Sequence, residues 1–466
     1  MKKRLIFTSL ITASMLLTGC AVAGFNSGDN TSSDTSSEET PVAQEGSYTV
    51  MIYMCGSNLE SGYDEYYGST DVNSASLATS DITEILSVKN KPENVNIIIE
   101  TGGARAWNKK YGIKADKLGR WHVENGKLVE DEQLTYAAMG KSSTFQSFLE
   151  WGLKEYPAEK TGVILWNHGG AMMGVCQDET TTGKNDMLTN SEVNTALKNA
   201  FKNTNRSEKL EWIGYDACLM QVQDIAEFNS QYFNYMVAAQ ESEAGEGWEY
   251  NSWIDDVYAG KSTETILTAI CDGFVDSFSK SYPGYDNDQT LSYLDLSYMS
   301  EYKTAWEAFA EQLSSKASSY GKSNFQSLMK TVKDYGTTVY TKQELQEMGY
   351  SMNSNSQYYY GNYGIEQVGN YYYDHGYNYF GTFDVKDMVS KIKGNSSFSS
   401  LSTYITAVEE AFNKLVAYSE KGDQAGNSNG LCLYFPLHSQ CNKGTYYSSS
   451  ETNFSVWRSF VNSYGV

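Results

Sequence analysis

The chain has 466 residues, 40% of them hydrophobic and 14% aromatic, so it can form one large domain or two modest ones with a substantial core. Its 57 acidic residues outnumber the 35 basic ones and give a formal net charge of -22. This balance argues against nucleic-acid binding, which needs Lys and Arg to displace the counterions of the phosphates. It favours a soluble surface that attracts cationic substrates.

The N-terminus carries a predicted export signal. The basic stretch Met1-Lys2-Lys3-Arg4 precedes an apolar run, residues 5–17, that is too short to remain a membrane-spanning helix. The run ends in Leu17-Thr18-Gly19-Cys20, which resembles a bacterial lipoprotein cleavage site. The resemblance predicts that residues 1–19 are removed and that a lipid on Cys20 anchors the protein to the extracellular face of a bacterial membrane; an ordinary signal peptide is the alternative. Residues 20–46 are polar and acidic and are predicted to form a disordered tether.

From Tyr48 onward, short apolar runs alternate with segments of helical spacing. Strands are predicted at 48–54, 95–99, 163–166, 210–215, 235–239 and 431–437, with a hairpin at 120–127. Helices are predicted at 80–86 with Ser80 as N-cap, and at 142–156, 191–201, 219–228, 302–318 and 401–415. The alternation predicts an α/β fold with a mostly parallel sheet flanked by helices. We assign residues 47–260 to this domain and 261–466 to an α+β region that completes or flanks it; within it, the Tyr-rich stretch 350–383 is predicted to be an ordered loop or a small sheet.

Two of the predicted strands end in reactive side chains. One run, VILWNHGG, delivers His168, and the other, LEWIGYDACLM, delivers Cys218. Because the carboxyl ends of neighbouring parallel strands lie at one edge of a sheet, we expect the imidazole and the thiol to lie side by side. Each residue taken alone has a structural alternative, a strand-end histidine or a buried thiol. Together they match a cysteine nucleophile with its general base.

The motifs Asn167-His168-Gly169-Gly170 and Asp216-Ala217-Cys218-Leu219-Met220 resemble those of the clostripain family of cysteine peptidases, in the clan of caspases, legumain and gingipains. The resemblance spans about residues 48–440 and implies a caspase-like fold and endopeptidase activity. It implies that Cys218 attacks the scissile carbonyl and that His168 passes the proton to the leaving amine. The amides of Gly169 and Cys218 are expected to form the oxyanion hole. The helix predicted from Leu219 would favour a Cys218 thiolate at its N-terminus.

Asp216 is the predicted determinant of specificity. It lies two residues before Cys218, on the same side of the strand, and it matches the family's acid that recognises a basic residue before the cleaved bond. A carboxylate pairs best with Arg, in a bidentate manner, and then with Lys. The following strand's loop is expected to add a second acid, with Glu243 and Glu246 as candidates and Glu246 favoured. The alternative role for Asp216 is a hydrogen bond that orients a loop.

Self-cleavage is predicted at Lys184, the single basic residue of the polar loop 176–190, with an uncut loop as the alternative. We expect no metal and no other cofactor; the family resemblance and the acidic loops leave Ca²⁺ open, but no EF-hand pattern is present in the sequence. The expected partners are proteins or peptides with basic residues, and the membrane through the lipid anchor. The alternatives are a noncatalytic surface lipoprotein that binds through its Tyr-rich segment, and a transpeptidase that uses the same dyad.

Overall fold

The computed structural model describes residues 43–63, 68–180, 186–336, 380–437 and 452–465, and the backbone of short strands within 338–374. The predictions for Cys20 and Lys184, and most of the predicted tether, fall outside the described residues. Strand β1 begins at Gln44, so the last residues assigned to the tether belong to a strand.

The strands, numbered in chain order, are β1 (Gln44–Cys55), β2 (Val95–Gly102), β3 (Lys117–Glu124), β4 (Lys127–Thr135), β5 (Ala158–Trp166), β6 (Val175–Asp178), β7 (Asp186–Leu188), β8 (Leu210–Asp216), β9 (Phe233–Ala238), β10 (Thr290–Asp295), β11 (Thr338–Tyr340), β12 (Ser351–Met352), β13 (Tyr358–Tyr360), β14 (Tyr363–Val368), β15 (Tyr371–Asp374), β16 (Thr382–Asp384), β17 (Val416–Lys421) and β18 (Cys432–Tyr434).

The α-helices are α1 (Ser57–Ser61), α2 (Leu77–Ser87), α3 (Ser142–Glu155), α4 (Asn190–Asn203), α5 (Gln223–Asn229), α6 (Ile254–Tyr258), α7 (Thr263–Ser281), α8 (Met299–Tyr320), α9 (Lys322–Met329), α10 (Val385–Gly394), α11 (Ser402–Leu415) and α12 (Ser455–Tyr464). Short 3-10 helices are present at Lys109–Tyr111, Ala171–Met173, Tyr250–Ser252, Leu296–Tyr298 and Ser396–Leu401. In the described part of the chain, no helix is both long and apolar enough to cross a membrane.

A nine-stranded sheet in the order β17-β10-β9-β8-β5-β1-β2-β3-β4 forms the centre of the molecule. Its five middle strands are parallel, and the pairs at both edges are antiparallel. This confirms the predicted mostly parallel sheet flanked by helices. The chain runs from β1 to β2 on one side and then places β5, β8 and β9 on the other side, so the direction of winding switches between β1 and β5. Ligand crevices of open α/β sheets form at such a point, beyond the carboxyl ends of the strands.

Helices cover both faces of the sheet, which is why its central strands are apolar on both sides. In β1, Met51 and Tyr53 pack into one core with residues of α3, α4, α5 and α8. Val50 and Ile52 point to the other face, where α2, α6 and α7 cover them. The alternation fixes the register of β1, because a shift by one residue would exchange the two faces.

The predicted hairpin is confirmed, and two predicted helix starts are wrong. Asn125 and Gly126 join β3 to β4 with φ values of 52° and 70°, as a tight hairpin turn requires. Helix α2 begins at Leu77 after Ser76, so Ser80 is an internal residue and not the N-cap. Helix α5 begins at Gln223 and not at Leu219, whose φ of 68° lies in the left-handed region. Within the Tyr-rich stretch, β12 to β15 form a small antiparallel sheet with β11.

Candidate active site

His168 and Cys218 follow two adjacent parallel strands at the same level of the sheet. Trp166 at the end of β5 pairs with Asp216 at the end of β8, and His168 and Cys218 each follow two residues later. A Cβ atom on Gly169 would lie 2.2 Å from the carbonyl oxygen of Cys218, so the two backbones touch and a side chain cannot fit there. The fold thus brings the predicted imidazole and thiol segments together.

His168 is buried beside the loop that follows β1. The side chain is 8% exposed, and burial lowers the pKa of the imidazole to about 4. Its Nε2 hydrogen-bonds the Oδ1 atom of Asn58 at 2.7 Å. The sequence motifs gave Asn58 no role; its signal is the position three residues after β1, at the winding switch next to β5.

Cys218 lies against the loop that follows β9. Its Sγ accepts a hydrogen bond from the amide of Glu243 at 3.3 Å. Burial, and then the negative charge of Glu243, raise the pKa of the thiol to about 12. Because α5 begins only at Gln223, Cys218 is not at a helix N-terminus, and the predicted source of thiolate stabilisation is wrong. The resting pair is therefore a neutral thiol and a neutral imidazole.

The amides of Gly169 and Cys218 lie next to each other where the segments after β5 and β8 meet. Gly169 forms an antiparallel bridge with Val175 in which the hydrogen bonds are made by the flanking residues and not by Gly169 itself. Within the described residues, neither the Gly169 amide nor the Cys218 amide donates a backbone hydrogen bond. Backbone amides without a backbone acceptor are groups that can donate to an oxygen that develops negative charge.

Asp216 is enclosed by the segment that follows the Glu243 loop. The carboxylate is 4% exposed and accepts hydrogen bonds from the Tyr250 hydroxyl at 2.9 Å and the Trp248 amide at 3.3 Å. Gly247 has a φ of 64°, and a Cβ atom there would lie 2.8 Å from Oδ1 of Asp216. The sequence Gly247-Trp248 is thus needed for the backbone to close over the acid.

Glu243, 7% exposed, is the second acid that the structure places beside Asp216. The two carboxyl groups hydrogen-bond each other, so they share a proton. Burial raises the pKa of Asp216 to about 7, and burial together with the charge of Asp216 raises the pKa of Glu243 well above its usual range. Like charges this close in a buried site cannot both ionise without a cation between them. Asp216 and Glu243 therefore form a buried acidic pair that carries at most one negative charge.

A second layer of acids lies behind this pair. Asp81 accepts a hydrogen bond from Nε1 of Trp166 at 2.6 Å, and Glu84 accepts one from the Tyr250 amide at 2.9 Å. Burial and the charge of Asp216 raise the pKa of Asp81 far above normal, and burial raises the pKa of Glu84 to about 7. The environment of Asp216 and Glu243 therefore disfavours further negative charge.

Glu246, the favoured second acid in the sequence analysis, is not adjacent to Asp216 in the way that Glu243 is. Its side chain is exposed and accepts a hydrogen bond from the Tyr282 hydroxyl. Two loop residues, Ala244 and Gly245, separate the two acids, and only long-range packing decides which one turns inward. Among the described residues, no group of three or more His, Cys, Asp or Glu side chains is arranged to hold a metal ion.

Comparison with known proteins agrees with this architecture. The sequence model of the clostripain family matches residues 66–463. Clostripain of Hathewaya histolytica is 22% identical over 457 residues, which cover 85% of this chain and 78% of that protein. A secreted C11 cysteine protease of Bacteroides thetaiotaomicron, "iotapain", has a similar fold with a TM-score of 0.56 and 16% identity, over 90% of this chain and 100% of that one. An inactive zymogen C11 protease of Parabacteroides distasonis has a TM-score of 0.54 and 17% identity, over 90% and 99% of the respective chains.

Proposed function

Because the chain belongs to the clostripain family and is a cysteine endopeptidase, we propose that it cleaves peptide bonds after Arg or Lys with Cys218 as nucleophile and His168 as general base. The observation that carries the proposal is the register of β5 and β8, whose last residues pair with each other, so that His168 and Cys218 each follow two residues after a paired strand end. The contact between the Gly169 backbone and the Cys218 carbonyl supports it.

The reaction starts from the neutral pair. His168 takes the proton of the Cys218 thiol as the sulfur forms a bond to the scissile carbonyl carbon, and the carbonyl oxygen becomes an oxyanion. The imidazolium then gives that proton to the leaving amine, the C–N bond breaks, and an acyl-enzyme remains. A water molecule loses a proton to His168, attacks the acyl carbon and releases the acid, while the sulfur recovers its proton.

The amides of Gly169 and Cys218 are assigned to the oxyanion. In comparable enzymes, one such donor contributes about 3 to 4 kcal/mol to the stability of the transition state. The absence of a backbone hydrogen bond from either amide, among the residues that the structure describes, supports this assignment. The close approach of Gly169 to Cys218 explains why glycine follows the histidine.

Asp216 and Glu243 are assigned to the pocket for the basic residue before the cleaved bond. An entering guanidinium would displace the shared proton and pair with both carboxylates, and it would thereby recover the free energy that their burial costs. Arg is preferred over Lys because its planar fork can bind two carboxylate oxygens at once. Glu243 also bonds Cys218 through its amide, so occupation of the pocket is coupled to the position of the nucleophile.

The outer location and the maturation of the protein are further parts of the proposal. A lipid on Cys20 would hold the enzyme at the extracellular face of a bacterial membrane, in keeping with the description of one relative as secreted. Cleavage at Lys184 would activate it, in keeping with the description of another relative as an inactive zymogen. The strands β6 and β7 on either side of Lys184 pair with each other, so the two fragments would stay together after the cut.

The test is a panel of fluorogenic peptides that differ only in the residue before the scissile bond. We expect cleavage after Arg, weaker cleavage after Lys, and loss of both in Cys218→Ala and His168→Ala proteins with unchanged circular dichroism. Full activity of either variant would contradict the assignment of the dyad. A preference for Asp or for apolar residues before the scissile bond would contradict the assignment of the acidic pocket. Addition of an amine nucleophile to the assay separates a transpeptidase, which forms the coupled product, from a hydrolase.

A further inference from the structure

The hydrogen bond between His168 and Asn58 fixes which nitrogen of the imidazole carries the proton. Oδ1 of Asn58 is a carbonyl oxygen that can only accept, and it lies 2.7 Å from Nε2. Nε2 must therefore be the donor, and Nδ1 keeps its lone pair. We propose that Asn58 is a positioning residue that holds His168 in the tautomer and orientation needed for proton transfer at Nδ1; this rests on the proposed function.

Asn58 reaches His168 because of the sheet topology. Strand β1 ends at Cys55 and β5 ends at Trp166, and the two strands are neighbours at the winding switch. Asn167 ties the two strand ends together, since its Nδ2 donates to the carbonyl oxygen of Cys55 at 2.7 Å. The segment after β1 is thus held at the carboxyl end of β5, where the chain continues to His168.

The backbone that presents Asn58 is strained. Ser57 has a φ of 51°, a left-handed conformation that costs a non-glycine residue about 1 kcal/mol or more. Such strain persists only where the surroundings enforce it, and it is frequent at functional sites. The Ser57 hydroxyl also donates to Oδ1 of Asn58 at 3.3 Å, so this oxygen accepts from both Ser57 and His168.

Helix α1, which contains Asn58, is built as a rigid support. Its five residues are too few to form a stable helix alone. The helix is fixed instead by Glu60, which is fully buried and accepts hydrogen bonds from the amides of Thr79 at 2.9 Å and Asn108 at 2.8 Å. The Asn58 side chain itself is exposed at the edge of the site, so its removal leaves no cavity in the core.

The proposed role has a chemical consequence during turnover. When His168 accepts the thiol proton it becomes an imidazolium, and the Asn58 oxygen then bonds a charged donor. Hydrogen bonds to charged groups are stronger than those between neutral groups. Without Asn58, the ring is free to adopt the other tautomer, in which Nδ1 carries the proton and cannot accept one from Cys218. Among the described residues, Nδ1 has no hydrogen-bond partner that would prevent this.

The test compares Asn58→Ala with Asn58→Asp on the best Arg or Lys peptide. Asn58→Ala should lower kcat by about tenfold to a hundredfold, as expected for a hydrogen bond to a charged group, with little change in KM. Asn58→Asp keeps an acceptor on Nε2 and should restore most of kcat. Its negative charge favours the imidazolium, so the limb of the pH–rate profile that reports His168 should move to higher pH.

The control is Asn94→Ala, which removes a half-buried asparagine, bonded to the carbonyl oxygen of Gly46 at 2.7 Å at the opposite end of β1. This variant should retain wild-type kcat and pH dependence. The proposal is overturned if Asn58→Ala has normal kcat, or if Asn58→Asp is as impaired as Asn58→Ala with an unshifted pH profile, which would indicate a structural role alone. Activity of Cys218→Ala or His168→Ala would instead refute the dyad itself, so the two failures are distinguishable.

Discussion

Replacing Asp216 with Asn should remove a loss of folding stability that the wild type suffers as the pH rises to neutral, and it should lower activity on Arg peptides. Burial raises the pKa of this carboxyl from 3.8 to about 7 in the folded state. Between these two pH values the folded protein holds a proton that the unfolded chain has released. The stability of the wild-type protein therefore falls as the pH rises from about 4 to about 7, and it stays lower above that range.

The size of the effect follows from the shift. Between the unfolded and the folded pKa of Asp216, each pH unit lowers the free energy of unfolding by about 1.4 kcal/mol. About two units of this range lie between pH 5 and pH 7, so the wild type should lose about 3 kcal/mol of stability relative to Asp216→Asn. The substitution also destabilises the protein. The Tyr250 hydroxyl and the Trp248 amide bond different oxygens of the Asp216 carboxylate, and an asparagine amide has only one oxygen. The donor that is left unpaired costs about 1 to 3 kcal/mol of folding free energy at any pH. Asp216→Asn should therefore be less stable than the wild type at pH 5 and as stable or more stable at pH 8.

Thermal unfolding at pH 5 and pH 8, followed by circular dichroism, measures this difference. The melting temperature of Asp216→Asn should rise relative to that of the wild type by several degrees between the two pH values. The exposed Asp116→Asn is the matched control and should follow the wild type at both. At pH 8, kcat/KM for Arg peptides should fall about a hundredfold in Asp216→Asn, because the substrate cation loses a buried partner. A melting difference that is independent of pH would refute the buried, proton-sharing pair.

Three further predictions concern the backbone, the activation loop and the anchor. Gly169→Ala should abolish peptide cleavage and lower the melting temperature, because its Cβ atom would lie 2.2 Å from the Cys218 carbonyl oxygen, whereas Gly394→Ala, with no atom within 4 Å, should be harmless. Lys184→Ala should remain a single chain on denaturing gels, where the wild type gives two fragments, and it should cleave peptides slowly. A wild-type protein that is fully active as an intact chain would exclude self-cleavage as the activation step. Cys20→Ala should leave the precursor unprocessed or released, and failure of metabolic lipid labelling in the wild type would contradict the anchor.

The central strands and the hairpin could be predicted because their signals are local. Runs such as residues 48–54 are buried on both faces, and the Asn125-Gly126 pair specifies its own turn. The helix predicted from Leu219 failed for a non-local reason. Its apolar spacing continues into α5, but the Gln221 amide donates to the Ala239 carbonyl at 2.9 Å, and the Gln221 carbonyl accepts from Cys432 at 2.8 Å. The backbone of Gln221 therefore bonds segments that are distant in the sequence and does not form helical hydrogen bonds.

In the candidate site, too, residues with local signals could be predicted, and residues whose contacts are long-range could not. His168 and Cys218 could be placed together because each ends its own apolar run and parallel strands share an edge. Asn58 could not be assigned from the sequence, and Glu243 could not be separated from Glu246 as the second acid, because their contacts depend on how loops close in three dimensions. Asn58 lies 110 residues from His168, and the two meet only because β1 and β5 are neighbours in the sheet.

The most direct test of the dyad and its pocket is covalent labelling with a peptide chloromethyl ketone that ends in Arg, followed by mass spectrometry of the digested protein. Of the cysteines in the described part of the chain, Cys55, Cys176, Cys271 and Cys432 are buried, and Cys218 is partly accessible. We predict a single adduct on Cys218, formed far faster than with the matching Asp reagent and lost in His168→Ala. An adduct on another cysteine, or equal rates with the Arg and Asp reagents, would contradict the proposed nucleophile or its acidic pocket.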